Sequence, residues 1–413
     1  MLTTFLLLLV TLISCRRTGA EADDVAVTDT LYNGDELTER AWDWADSVME
    51  TMTDEEMIGE VLMPAMYARS TPADLTRLTD YITRYKVGGI VLLKGDVRSV
   101  AVMADTIKRL SDRGVFLAID AENGLRMRLS DAPEFPWNSE IGSRADDQLM
   151  YEFGREIARE CRAVGISMVL GPVMDVVPGE ESHGISRRRS LGSDPHRVAD
   201  LAIAYARGLE DGRVISVAKH FPGHGSASAD SHKGLGIISG DAVRLDSVDL
   251  YPFRRYSDEL LSAVMVGHLA SESLDTVSRP AVVSPVLMQD VLRSRLGFGG
   301  LVLTDALNME GAMGVSAWQA IMAGADIVLA PTDTPVEIER AREALADGRL
   351  SREVLANRVR RILFYKYLSG LSTIEPIDIE GAVIEVNRVR TEFRDTINSV
   401  FRYPNRNSSR SEP

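Results

Sequence analysis

The chain has 413 residues, of which 45% are apolar and 26% charged, and its formal net charge is −15. This composition is that of an ordinary soluble globular protein. The acidic balance argues against a nucleic-acid partner, which would need a basic face. The two cysteines, Cys15 and Cys161, form neither a disulfide framework nor a thiolate metal site.

The N-terminal segment predicts export. Leu2 to Ile13 is a continuous apolar run that is too short to span a bilayer and has the length of a signal-peptide core. It ends in Leu12-Ile13-Ser14-Cys15, which resembles a bacterial lipobox with Cys15 as the lipidated residue; an ordinary secretory signal with an incidental cysteine is the alternative. We therefore predict a lipoprotein-type signal peptide over residues 1–15. The protein would then be an exported, membrane-anchored lipoprotein at the periplasmic or outer-membrane face.

The next segment differs in composition from the rest of the chain. Residues 16–40 are polar and acidic with few large apolar groups, which predicts a flexible tether. The folded domain is expected over residues 41–370. Residues 371–413 are predicted to be a C-terminal extension that is partly disordered, because the last residues are rich in Ser, Asn and Arg.

Within the domain, strand and helix patterns alternate. Eight apolar segments predict strands: Val61–Met66, Val87–Leu93, Val115–Asp120, Ile166–Pro172, Val214–Phe221, Ala263–Leu269, Leu301–Leu307 and Ala325–Ala330. Segments with helical periodicity separate most of them, which predicts an α/β fold with a parallel sheet buried on both faces. Eight such units favour a closed (β/α)8 TIM barrel, as a single catalytic domain, over an open doubly wound sheet.

Polar residues stand where five of these strands end. In chain order they are Asp120 with Arg128, Arg189, Lys219 with His220, His268, and Asp305. A loop broken by Pro and Gly then carries Asp230 and His232. Because the active site of such a barrel lies at the carboxyl ends of its strands, we expect these side chains to share one rim.

Asp305 ends the apolar run Leu301-Val302-Leu303-Thr304. An acid at this position can cap a following helix. It can equally act as a nucleophile or base that neighbouring cations keep ionised. The residues alone leave both interpretations open.

Two motifs point to one family. Lys219-His220-Phe221-Pro222-Gly223-His224-Gly225 is followed by Asp230-Ser231-His232, and residues 304–312 read Thr-Asp-Ala-Leu-Asn-Met-Glu-Gly-Ala. Together they resemble glycoside hydrolase family 3, and within it the single-domain, NagZ-like β-N-acetylhexosaminidases. The resemblance covers roughly residues 45 to 370.

The resemblance implies a function and a role for each matching residue. It implies retaining hydrolysis of terminal β-linked N-acetylglucosamine residues on a carbohydrate substrate, with Asp305 as the nucleophile that forms a covalent glycosyl-enzyme. It makes His232, paired with Asp230, the general acid and base. Asp120, Arg128, Arg189, Lys219 and His220 would hold the sugar, and neither a metal nor an organic cofactor is required.

Several alternatives remain at the level of sequence. The family segment commonly reads Asp-Gln-Glu-Gly-Gly, whereas this chain has Asp120-Ala121-Glu122-Asn123-Gly124, and three arginines precede Ser190. These departures leave a family 3 β-glucosidase or a β-N-acetylglucosaminide phosphorylase as runners-up. A non-catalytic sugar-binding protein would need neither Asp305 nor the Asp230–His232 pair. A metal hydrolase is disfavoured because Phe-Pro-Gly between His220 and His224 prevents a helical pair of ligands.

Overall fold

The computed structural model describes residues 36–177, 185–228, 234–277, 279–373 and 375–401. Its strands are β1 (Leu62–Met63), β2 (Ala65–Ala68), β3 (Gly89–Gly95), β4 (Phe116–Ile119), β5 (Met168–Val169), β6 (Ile215–Phe221), β7 (Gly236–Ile237), β8 (Ala263–Val266), β9 (Leu269–Ala270), β10 (Leu301–Thr304) and β11 (Val328–Leu329). Each of the eight apolar segments predicted from sequence overlaps at least one of them. β3 extends two residues beyond its predicted segment, and β4, β5, β6, β8, β10 and β11 are shorter than theirs.

The centre of the fold is a seven-stranded parallel sheet in the order β10-β8-β6-β5-β4-β3-β2. β11 pairs in parallel with β1, which Pro64 alone separates from β2. Leu303 of β10 also bridges Ile327, the residue before β11. The result is a curled, TIM-barrel-like sheet, in agreement with the predicted α/β class.

Helices cover this sheet. They are α1 (Glu36–Met49), α2 (Asp54–Glu60), α3 (Pro72–Thr83), α4 (Val97–Leu110), α5 (Asn138–Arg144), α6 (Asp147–Ala163), α7 (Pro195–Asp211), α8 (Ala242–Arg244), α9 (Tyr251–Asp258), α10 (Ala317–Ala323), α11 (Thr334–Ala346), α12 (Arg352–Leu368), α13 (Ile379–Asn387) and α14 (Thr391–Phe401). Leu245–Asp249 and Val286–Arg295 are π-helical. Every residue of β4, β8 and β10 is buried, which explains why these strands read as continuous apolar runs.

The helices α6 and α7 approach one another closely at two glycines. A Cβ atom on Gly154 of α6 would lie 2.1 Å from the carbonyl oxygen of Tyr205, and one on Gly208 of α7 would lie 2.2 Å from that of Tyr151. The absence of a side chain at these two glycines therefore allows the backbones of α6 and α7 to pack in direct contact.

Helices at both ends of the described chain pack on the domain. α1 begins at Glu36, inside the segment predicted as a tether, and its Trp42 stacks on Phe364 of α12. α14 places Phe393 parallel to Phe153 of α6, with ring centroids 6.0 Å apart. Cys15, the signal peptide, residues 16–35 of the tether and residues 402–413 lie outside the described residues. Among the residues described, no helix is long and apolar enough to cross a bilayer.

Candidate active site

A cavity of about 390 Å³ opens at the carboxyl ends of the parallel strands. Six residues predicted for the site line it: Asp120, Arg128, Arg189, Lys219, His220 and Asp305. Asp230 and His232 lie outside the described residues. The structure thus brings these six residues together in one cavity, whereas His268, which was expected on the same rim, is not among the residues that line it.

The fold delivers these side chains from separate strands. Asp120 directly follows β4, Lys219 and His220 lie in the last part of β6, and Asp305 directly follows β10. The backbone N–H of Asp305 donates to the carbonyl of Val266 at 2.8 Å, which continues the β10–β8 ladder by one residue. This hydrogen bond fixes the backbone position from which the Asp305 side chain projects. Parallel pairing therefore gathers groups that are far apart in sequence.

Lys219 joins two buried carboxylates on one wall of the cavity. Its Nζ lies 2.7 Å from Oδ1 of Asp120 and 2.8 Å from Oε1 of Glu122. Arg128 binds the other oxygen of Asp120 at 2.5 Å, and Arg189 clamps Glu122 through Nη2 at 2.7 Å and Nε at 3.0 Å. The wall is therefore a rigid array of three cations and two anions.

The cations keep both acids ionised. Burial alone would raise the pKa of Asp120, but the charges of Lys219 and Arg128 hold that pKa well below its usual range. Burial likewise opposes ionisation of Glu122, whose pKa Lys219 and Arg189 lower to about 2. Both carboxylates thus act as hydrogen-bond acceptors at neutral pH.

The carboxylate of Asp305 is 8% exposed and lies on the cavity wall. Among the described residues, the backbone N–H of Ala306 donates to its Oδ1 at 2.8 Å, and no side-chain cation forms an ion pair with it. Burial opposes its ionisation, yet the nearby rings of His220 and His268, the Ala306 N–H and Lys219 keep its pKa below the ordinary value. An ionised carboxylate with a free oxygen atom is suited to nucleophilic attack.

The structure also decides the alternative interpretation of Asp305 as a helix cap. The next α-helix, α10, begins at Ala317, and Ser316 caps it through a capping box with Gln319. Asp305 therefore caps no α-helix. His268 does not line the cavity: it is buried, and its Nε2 lies 2.9 Å from the carbonyl oxygen of Ala306.

Sequence reasoning missed two acids of the site. Glu122 was noted as part of a motif without a role, although it is the partner of Arg189 and Lys219. Asp175 was not singled out, although its Oδ2 lies 2.7 Å from Nδ1 of His220. The signal for Asp175 was a single acid inside the apolar run 173–177, which indicates a buried carboxylate and hence a buried partner.

The loop that carries Asp230 and His232 has described residues on both sides. Ala227 bridges Ile238 in antiparallel fashion, and Ile238 donates to the carbonyl of Ala270 at 2.8 Å, next to the β7–β9 pair. Arg244 contacts both sides of the loop, through the hydroxyl of Ser226 and the carbonyl of Ser239. The described residues at the base of this loop are thus tied to the domain by hydrogen bonds.

A metal site is not evident in the described part of the chain. No group of three or more His, Cys, Asp or Glu residues there has the arrangement of a metal centre. Asp175 has three groups at hydrogen-bond distance: the backbone N–H of His224, the backbone N–H of His220 and the ring Nδ1 of His220. Asp175 is therefore contacted by the ring of His220 and by the backbone of both histidines.

Comparison with known proteins agrees with the geometry. A beta-hexosaminidase from Methylobacillus flagellatus is 32% identical over 287 residues, which cover 66% of this chain and 80% of that protein. A solved glycoside hydrolase family 3 beta-N-acetylglucosaminidase from Paenibacillus sp. str. FPU-7 superposes with a TM-score of 0.75 at 27% identity, over 85% of this chain and 68% of that one. The beta-glucoside phosphorylase BglX, solved bound to 2FGlc, has a TM-score of 0.83 over 91% of this chain and 69% of its own; at 20% identity it supports the fold alone.

The family is settled by a match to most of the domain. Residues 53–364 match the model of the glycosyl hydrolase family 3 N-terminal domain. This match confirms the resemblance that the two motifs indicated. The chain belongs to glycoside hydrolase family 3.

Proposed function

We propose that this protein hydrolyses terminal β-linked N-acetylglucosamine residues with retention of anomeric configuration. The observation that carries the proposal is the ionised, buried carboxylate of Asp305. It lies in a cavity that is also lined by Asp120, Arg128, Arg189 and Lys219, whose side chains are suited to binding a sugar. The similarity to a protein named beta-hexosaminidase and to a solved beta-N-acetylglucosaminidase supports the choice of sugar.

In the first step, an oxygen of Asp305 attacks the anomeric carbon as the bond to the leaving group breaks. The leaving oxygen receives a proton, which we assign to His232 with Asp230 orienting its ring. In the second step, water attacks the anomeric carbon and His232 takes a proton from it. That attack breaks the bond between the anomeric carbon and Asp305, which leaves as a carboxylate, so the enzyme returns to its starting state and releases a sugar of retained configuration.

The wall formed by Lys219, Asp120, Glu122 and the two arginines supplies the binding part of the mechanism. Asp120 keeps two ionised oxygens that can accept from sugar hydroxyls, while Lys219 and Arg128 donate. Since these groups already hold one another, little reorganisation accompanies substrate binding. The same rigidity suits a transition state in which the ring flattens and its charge grows.

We propose that the sheet is a closed (β/α)8 barrel. The parallel pair of β1 with β11 and the bridge of Leu303 to Ile327 support this, because together they link both edges of the seven-stranded sheet. Closure would hold Asp305, after β10, at a fixed distance from Asp120, after β4.

The decisive experiment compares aryl β-glycosides on the wild type and on Asp305→Asn. We expect clear preference for the N-acetylglucosaminide over the glucoside and a loss of about 1,000-fold or more in kcat/KM in the variant. The exposed Asp347→Asn variant is the control for expression and handling. Full activity of Asp305→Asn would refute the proposed nucleophile, and equal rates on the glucoside would favour the β-glucosidase.

Phosphate separates hydrolysis from phosphorolysis. A phosphorylase releases the aryl group faster when phosphate is present and yields a sugar phosphate, whereas the proposed hydrolase gives the free sugar at an unchanged rate. The products can be told apart by mass. A dominant sugar phosphate would replace our proposal by the phosphorylase.

We also propose that Cys15 carries a lipid and anchors the exported protein to a membrane surface. The support is the sequence Leu12-Ile13-Ser14-Cys15 after an apolar run. We expect the wild type to incorporate labelled fatty acid and to sediment with membranes, and Cys15→Ser to do neither. Equal labelling of both proteins would exclude this anchor.

A further inference from the structure

Asp175 makes a set of contacts that the proposed mechanism does not use. Its Oδ1 accepts from the backbone N–H of His220 at 3.1 Å and from that of His224 at 2.7 Å. Its Oδ2 lies 2.7 Å from Nδ1 of His220. The side chain is fully buried and does not line the cavity, so it reaches the substrate only through His220, which does line it.

These contacts fix which ring nitrogen of His220 carries the proton. Burial opposes ionisation of Asp175, but its contacts with His220 and His224 keep its pKa below the ordinary value, so the group is a carboxylate and only accepts. Nδ1 must therefore be the donor. The other nitrogen, Nε2, lies 3.5 Å from Nη2 of Arg189, and a guanidinium has no acceptor.

We propose that Asp175 is a positioning residue that holds His220 in the Nδ1–H tautomer, so that Nε2 accepts a hydrogen bond from a hydroxyl of the bound sugar. The ligand in this inference rests on the proposed glycosidase function; the tautomer does not. The carboxylate, through the histidine, thus selects for a substrate that presents a donor at this place.

The charges around the ring are balanced. The titratable and charged groups that face His220 are Asp175, Arg189, Lys219, His224 and Asp305. Two of them are carboxylates and two are cations. Asp120 and Glu122 receive cationic donors at 2.5 to 2.8 Å, whereas Nε2 of His220 receives Arg189 Nη2 only at 3.5 Å, so its lone pair is weakly engaged and faces the cavity.

The matched perturbation is Asp175→Asn. The backbone N–H groups of His220 and His224 determine the orientation of the new amide group, because both donate to the atom at the Oδ1 position, which must therefore be the amide oxygen. The amide nitrogen then faces Nδ1 of His220 and donates to it. We expect the tautomer to switch, which puts the proton on Nε2 and removes the acceptor from the cavity.

Nitrogen NMR of histidine reads the tautomer directly. With ¹⁵N-histidine in the protein, a ring nitrogen without a proton resonates far downfield of one that carries it, and the His220→Gln spectrum assigns the signal. We expect Nε2 of His220 to be the unprotonated nitrogen in the wild type and Nδ1 in Asp175→Asn. Protonation of Nε2 in the wild type overturns the inference, and it does so even if the variant fails to fold.

Kinetics then connect the tautomer to the substrate. We expect kcat/KM of Asp175→Asn to fall about 10- to 100-fold, the range for one polar contact in a water-excluded site. The second test uses aryl N-acetylglucosaminides that each lack one ring hydroxyl. The wild type should cleave one of these analogues much more slowly than the complete substrate. Asp175→Asn should cleave that analogue and the complete substrate at similar rates, because the variant has already lost the hydrogen bond between that hydroxyl and Nε2 of His220. Equal losses on both proteins for every analogue would overturn the assigned contact.

Ser190→Ala is the structural control. Its hydroxyl donates to the backbone carbonyl of Asp175 at 2.8 Å, so the variant weakens the same segment without touching the carboxylate. We expect it to keep the wild-type tautomer; a switch in Ser190→Ala would show a packing effect and overturn the role of the carboxylate. If the wild type shows the expected tautomer but cleaves no glycoside, the proposed function fails while the tautomer stands.

Discussion

Glu210 offers a quantitative test of the fold away from the cavity. It lies in the last turn of α7, partly buried, and its Oε1 accepts from the hydroxyl of Ser216 at 2.5 Å and from the backbone N–H of Ser262 at 2.9 Å. Both donors are neutral. Burial therefore outweighs them and raises the pKa of Glu210 to about 7.

The sign of the effect follows from proton binding. Between the ordinary value of 4.5 and about 7, the folded protein binds more protons at Glu210 than the unfolded chain does. The free energy of unfolding therefore falls as the pH rises through this range. With a pKa of 4.5 in the unfolded chain and about 7 in the folded protein, the protonated side chain contributes about 3 kcal/mol to stability, which is fully available below pH 4.5 and lost above pH 7.

The test is urea unfolding of the wild type and Glu210→Gln from pH 4.5 to 8. Glutamine keeps the accepting oxygen but does not ionise, so we expect the stability of the variant relative to the wild type to rise by up to about 3 kcal/mol over this interval. Glu39→Gln, at an exposed position of α1, serves as the control and should track the wild type. Parallel curves for the wild type and Glu210→Gln would refute the assignment.

Two further predictions concern a charge and a cap. Lys219→Met removes the cation between Asp120 and Glu122 and leaves the two acids buried side by side. We expect kcat/KM to fall at least about 100-fold and the free energy of unfolding to fall by about 3 kcal/mol. An unchanged kcat/KM and an unchanged urea midpoint would contradict the shared ion pair. Thr53→Ala removes the capping box with Glu56 at the start of α2. We expect the free energy of unfolding, measured with urea, to fall by about 1 kcal/mol and kcat to stay unchanged. A changed kcat would show that α2 influences the active site.

The sequence was sufficient for the arrangement of strands because buried parallel strands have an unambiguous apolar pattern. It could not show β7, because Gly236-Ile237 lies in no apolar run, and it did not separate β9 from β8, because the predicted run Ala263–Leu269 reaches into both. It identified Lys219 and Asp305 through motifs at strand ends. The role of Asp175 depends on contacts with residues 45 and 49 positions away, and local sequence carries no information on such pairs.

The C-terminal helices have a practical consequence for where the catalytic unit can be cut. The family match stops at residue 364, yet Phe393 covers the rings of Phe135 and Phe153, and Arg390 binds the buried carboxylate of Glu156 at 2.6 Å. A fragment trimmed to the matched range would expose this aromatic surface to water and deprive an interior acid of one of its cations. We therefore expect a stable catalytic fragment to need residues beyond 364, including α14, the last of the helices that the structure describes.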